Sequence, residues 1–154
     1  MSAFLLSLHV LAAVLAVGPV TVAASLFPAR ARAALDGAPD QAPAVRLLHR
    51  ITRVYALVGA AVPVLGIATA QSMGAIGDAW VTASLVLTAV AAAVLIARIL
   101  PAQHDAVAAL DRTPPHPATT TALRSLSAAT GLFSLLWTAV LILMIIRPGS
   151  TTGV

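Results

Sequence analysis

"AFLLSLHVLAAVLAVGPVTVAASLFPARAR", residues 3–32, runs from Ala3 to Phe27 without a Lys, Arg, Asp or Glu, and then meets Arg30 and Arg32. About 20 apolar residues in a helix cross a hydrocarbon core, so this run reads as a transmembrane span that ends where the guanidinium groups begin. Three further stretches have the same character, and together the four predicted spans are 3–27, 54–73, 80–100 and 125–146. The fold they predict is all-α: a polytopic membrane four-helix bundle, with residues 1–154 forming a single integral membrane domain.

Composition supports this reading. The chain is 60% hydrophobic and only 9% charged, with a mean hydropathy of +0.98, more apolar surface than one soluble core can hide. Every basic residue is Arg and every acidic one Asp; Lys, Glu and Cys are absent, which excludes disulfide and thiolate chemistry. An Ala- and Arg-rich, Lys-free composition suggests a GC-rich bacterial genome. No Lys/Arg stripe interleaved with aromatics appears, so no nucleic-acid partner is expected. "MSAFLLSLHV" has no basic region before its apolar run, so span one is not expected to be a cleaved signal peptide.

Arginine placement predicts the orientation. Arg30, Arg32, Arg46, Arg50 and Arg53 lie between spans one and two; Arg98, Arg112 and Arg124 lie at or between spans three and four; Arg147 alone lies at the opposite side. The positive-inside bias places both long connections in the cytoplasm of a bacterial inner membrane, with the N and C termini and the "GAIGDA" turn outside. Trp80 then stands at the outer start of span three, at headgroup depth.

The two long connections resemble each other. "LFPARARAALDGAP" (26–39) and "ILPAQHDAVAALDRTP" (99–114) each carry a Pro after the span, then A-A-L-D, then a second Pro. This predicts two parallel-repeat helical hairpins, with spans one and three running on as cytoplasmic helices to about Asp36 and Asp111. The return helices start near Asp40 and near Thr119 to Thr121, whose side chains can cap them. Gly59, Gly66 and Met73 at seven-residue spacing, and Ala83 and Ala91 to Ala93, mark packing faces. Kinks are expected at Gly18-Pro19 and Pro63.

His9 is the one ionisable side chain deep inside a span, roughly 8 Å from the bilayer centre. Its ring nitrogens need partners, and Thr69, Gln71, Ser84 and Thr88 are the candidates at that depth, an intramembrane polar site that stitches span one to its neighbours. The alternative is ligation of haem or copper by His9. A second histidine for haem is missing at that depth, because His49, His104 and His116 fall on the arginine-rich side. A cuprous site would draw on Met73 and Met1. His49 and His104, with Asp105, could form a weak metal site. Arg46, His49, Arg50 and Arg53 form a cytoplasmic basic face suited to anionic lipid headgroups. No phosphate loop, nucleophile elbow or zinc motif occurs, so no enzyme and no catalytic residue is expected.

"LHVLAAVLAVGP" followed by "FPARAR", and "RLLHRITRVYALVGAAVPVLGI", resemble a family of small bacterial four-helix integral membrane proteins of unknown function. More distantly, a histidine in the first helix followed by an apolar run is similar to the membrane domain of the copper-resistance protein D group, which implies copper handling at His9. In place of the tryptophan and paired glycines of those relatives stand Ala16, Val17, Gly18 and Pro19. The expected work is that of an accessory, structural or interaction component of a membrane assembly, in a homodimer or with a membrane partner. Haem or copper handling and a small transporter subunit are the contrasting readings.

Overall fold

A computed structural model describes residues 2–112 and 118–149; the side chains of residues 2 and 118–120 are outside that description. Six α-helices build four long rods: α1 (Ser2–Leu35), α2 (Ala42–Gly59) with α3 (Ala61–Ser72), α4 (Ala79–Val94) with α5 (Leu100–Ala109), and α6 (Ala118–Ile146). All four rods are long and apolar enough to cross a membrane, and the fold is an all-helical four-rod bundle of the kind a multi-pass membrane protein has. Each predicted span lies on its own rod. At 1.5 Å per residue α1 is about 51 Å long, well beyond a hydrocarbon core of about 30 Å. It is therefore longer than one crossing needs, and Arg30 and Arg32 lie near its end.

Chain direction defines two ends. The terminal end holds the start of α1, the turn between α3 and α4, and the end of α6. The arginine-rich end holds both long connections. α1 and the α4–α5 rod run the same way, and each is followed by an antiparallel return, so the two hairpins are parallel as the repeat predicts. α1 packs along α2, α3 and α6, while α4 packs on α6; α3 and α4, though joined by a short turn, barely touch.

Proline acts differently at each site. Pro19 and Pro28 both lie inside α1, which continues through them as one helix, so the kink expected at Gly18-Pro19 does not interrupt it. Pro63 does divide its rod: it has no N–H for the Gly59 carbonyl, and the chain tightens at Ala60, whose N–H bonds to Leu57 O at 3.2 Å. Before Pro101 the helix widens into a π segment, Leu95–Ile99, and the Leu100 N–H reaches back to Leu95 O. A proline ring collides with the carbonyl four residues earlier, here that of Ala97, and one wide turn relieves the collision. The sequence reading did not foresee this bulge.

The return helices start where expected, α2 after a 3-10 turn at Pro39–Gln41. The expected Asp40 cap is absent: α2 has no side-chain cap, and the Asp40 carboxylate instead accepts a 2.9 Å bond from the Gln41 amide. Pro43 near the helix start removes one N–H that a cap would have served. The caps expected from Thr119 and Thr120, like His116 and Met1, fall outside the described residues and side chains.

The main core lies in the arginine-rich half, around Phe27, Val45, Ile99, Leu123, Leu126 and Phe133. A smaller cluster, Ala70, Trp80 and Val81 with Met144 against it, joins α3, α4 and α6 at the terminal end and leaves α1 out. This uneven packing positions the site described below.

At the arginine-rich end Arg46 and Asp111 form an ion pair at 2.6 Å, with side chains 47% and 63% exposed. The hydrogen bond and charge of Arg46 hold the Asp111 carboxyl below its ordinary range, and Asp111 raises the guanidinium in turn. Because the folded-state carboxyl is depressed, the pair contributes above the ordinary carboxylate pKa, and that contribution is lost as pH falls through the depressed value. Exposure and salt keep it small. Asp111→Asn is expected to leave thermal stability at neutral pH close to wild type and to remove only this acid-side dependence.

Candidate functional site

His9 occupies a place that the sequence makes by subtraction. α1 and the α2–α3 rod run antiparallel, and two pairs of positions meet at seven-residue spacing: His9 with Gly66, and Ala16 with Gly59. A Cβ on Gly66 would lie 3.0 Å from His9 Cε1, and one on Gly59 would lie 3.9 Å from the Ala16 Cβ. The imidazole thus lies against bare backbone. There His9 Nδ1 is 3.0 Å from the Val62 carbonyl oxygen. A carbonyl only accepts, so Nδ1 carries the hydrogen and donates it.

This corrects the expected partners. Thr69 and Thr88 give their hydroxyl hydrogens to their own helices, to Leu65 O and Ser84 O, both at 2.7 Å. In a medium without water a threonine satisfies itself on the carbonyl four residues back, which removes it as a donor to the ring. Gln71 is exposed on α3 and does not face His9. Ser84 is 1% exposed, and its Oγ has no hydrogen-bond partner among the described residues. Thr69, Ser84 and Thr88 nevertheless do assemble with His9, because all four line one cavity.

That cavity measures about 920 Å³ and lies between α1, α3, α4 and α6 in the terminal half of the bundle. Its walls are mostly apolar. It lies where the terminal cluster of α3, α4 and α6 leaves α1 out, while α1 meets α3 there through His9 against Gly66. Val10 and Val14 on α1, and Leu141 and Ile145 on α6, line it while remaining exposed, which opens it sideways between these two helices. A second void of about 120 Å³ shares Val17, Pro63, Thr88 and Trp137 with it.

Trp80 and Arg147 line the cavity at its terminal end. Trp80 is turned inward and 9% exposed, rather than lying out among headgroups. Its Nε1–H donates to Asp78 Oδ2 at 2.9 Å, and the Arg147 guanidinium sits 5.6 Å from its ring centroid. Arg147 ends α6 with φ of 48°, a left-handed conformation costly for a side-chain-bearing residue. Stacking on the indole and a 3.3 Å bond from Arg147 Nε to Met144 O help hold it there. Both tryptophans of the chain, Trp80 and Trp137, border the cavity.

The basic face is only partly a face. Arg50 and Arg53 are exposed, and Arg46 is exposed but paired with Asp111. His49 turns inward instead: its Nδ1 lies 3.2 Å from Gln103 Oε1, and Gln103 Nε2 donates to Thr52 Oγ1 at 3.4 Å. Gln103 and Thr52 are wholly buried. The His49 and His104 rings lie 6.2 Å apart between centroids. Among the described residues no three His or Asp side chains form a metal-binding group, there or at His9.

Sequence reasoning missed the Val62 carbonyl, the Gly66 niche, Gln103 and Trp137. A backbone acceptor has no signature in residue identity. Gln103 did offer one: it falls on the stripe Leu95, Ile99, Gln103 and Ala106, whose other members are buried and apolar. Compared with protein-family models, with curated proteins and with solved structures, the chain finds no match.

Proposed function

We propose that the protein is an accessory component of a bacterial inner membrane, without catalytic machinery of its own, that holds a lipid-soluble small molecule in the His9 cavity. The observation that carries this reading is the cavity itself: about 920 Å³, largely apolar, open sideways, and equipped with a buried imidazole and an unpartnered Ser84 hydroxyl. Binding sites for small ligands are typically apolar hollows with a few placed polar groups, of roughly 300–1,000 Å³. The arginine distribution supports cytoplasmic long connections and outward termini. Exposed Arg50, Arg53, Arg112 and Arg124 suit anionic headgroups, and the exposed small residues Ala89, Ala92 and Ala93 on α4 suit a homodimer or another membrane partner.

Haem or copper handling is the second reading. An imidazole whose Nδ1–H is held by a backbone carbonyl, leaving Nε2 open, is oriented as ligating histidines are.

The test is organic extraction of the protein purified in gentle detergent, with mass analysis, an absorbance spectrum and metal analysis. The expected result is a lipophilic molecule other than bulk phospholipid, recovered near one per chain and lost in a Val14→Trp, Ile145→Trp double variant. Both positions are exposed at the side opening, 65% and 72%, so added bulk narrows it without disturbing the core. Recovery of bulk phospholipid alone overturns the reading. A haem spectrum or stoichiometric copper lost in His9→Ala puts the metal reading in its place.

A further inference from the structure

The polar atoms bordering the cavity can be sorted by what each has left to offer. Thr69, Thr88, Ser134 and Thr138 donate to carbonyls of their own helices, at 2.7, 2.7, 3.0 and 2.9 Å, whereas the Thr21 hydroxyl and the Trp137 Nε1–H, which also border the cavity, have no partner among the described residues. His9 donates from Nδ1 to Val62 O. Nε2 has no partner among the described residues. Among the described residues no carboxylate lines the cavity to balance an imidazolium, and the charged side chain that does line it, Arg147, carries the same sign. The ring is therefore neutral there, and Nε2 presents a lone pair. The unpartnered Ser84 hydroxyl lies across the cavity on α4.

Resting on the proposed binding function, we infer that the occupant is an uncharged amphiphile with an apolar body and a hydroxyl or N–H head, which donates to His9 Nε2. A phospholipid acyl chain fills such a space but brings no donor. Its headgroup cannot bring one either, because His9 lies roughly 8 Å from the midplane, inside hydrocarbon. A ketone or quinone head meets lone pair with lone pair at this nitrogen. A phenol or alcohol head matches it, and its oxygen can accept from a hydroxyl such as that of Ser84.

The experiment uses two probes that differ in one hydrogen bond: a brominated long-chain alkylphenol and its methyl ether, added to the full-length protein in lipid nanodiscs. Bromine quenches tryptophan on contact, and Trp80 and Trp137 both border the cavity. Saturable quenching is expected from both probes, with the phenol bound about tenfold more tightly, the value of one neutral hydrogen bond in a dry site. His9→Leu is expected to bring the phenol down to the affinity of the ether. Equal affinity of the two probes for the wild-type protein overturns the inference and leaves the cavity reading standing. So does a phenol preference that survives in His9→Leu. An absence of saturable quenching by either probe overturns both. The wild-type comparison requires no variant to fold.

Discussion

Gln103→Ala is expected to destabilise the bundle by about 2–4 kcal/mol, and Gln103→Leu by clearly less. Gln103 is wholly buried on α5, which packs on α2, in the stripe between Ile99 and Ala106. Its amide continues a directed chain: His49 donates to its oxygen, its nitrogen donates to Thr52, and Thr52 donates to Leu48 O at 2.9 Å. Truncation to alanine removes volume from a closed position and also strips His49 of its acceptor. Leucine restores the volume and loses only the polar links, of which the 3.4 Å bond to Thr52 is weak by geometry. Denaturant titration in mixed micelles measures both variants. Equal losses would mean that the hydrogen bonds, and not the packing, hold α2 against α5.

The His9–Gly66 pair is expected to show strong non-additivity. In the wild-type background Gly66→Ala places a Cβ 3.0 Å from His9 Cε1, so the ring must give by a few tenths of an ångström and its bond to Val62 O stretches. That cost opposes the gain of up to about 1 kcal/mol that alanine normally brings to a helix interior. In a His9→Ala background the ring is gone, and the new methyl group enters vacated space. The coupling energy is expected at about 1–3 kcal/mol, with Gly66→Ala stabilising only when His9 is absent. A double-mutant cycle measured by reversible unfolding checks it. Additive effects would remove the close approach on which the placement of His9 rests, and with it the reason for the open Nε2.

Much of the architecture was legible because lipid imposes a simple rule: a run of apolar residues long enough to cross must be a helix, since no other local structure satisfies its backbone without water. Ala3 to Phe27 shows that rule, and so do Arg30 and Arg32 at its end. The paired Pro and A-A-L-D signatures likewise announced rods that overrun the membrane. That His9, Thr69, Ser84 and Thr88 come to line one cavity was legible, because depth along a helix can be counted from sequence. Gln71 and His49 were misplaced because rotation about the helix axis cannot be counted in the same way: Gln71 turned outward, and His49 turned in to Gln103.

The order of residues alone determined four long apolar helices, two parallel hairpins and an arginine-rich end, each a consequence of local hydropathy and proline chemistry. Tertiary structure decided the rest. Only in the folded bundle do Gly66 and the Val62 carbonyl come under the imidazole, does the helix widen for one turn before Pro101, and do α1, α3, α4 and α6 leave a cavity between their terminal halves. The physical reason is that hydropathy is a property of each residue, whereas a niche or a hydrogen-bond direction belongs to a pair of surfaces and exists only once they meet.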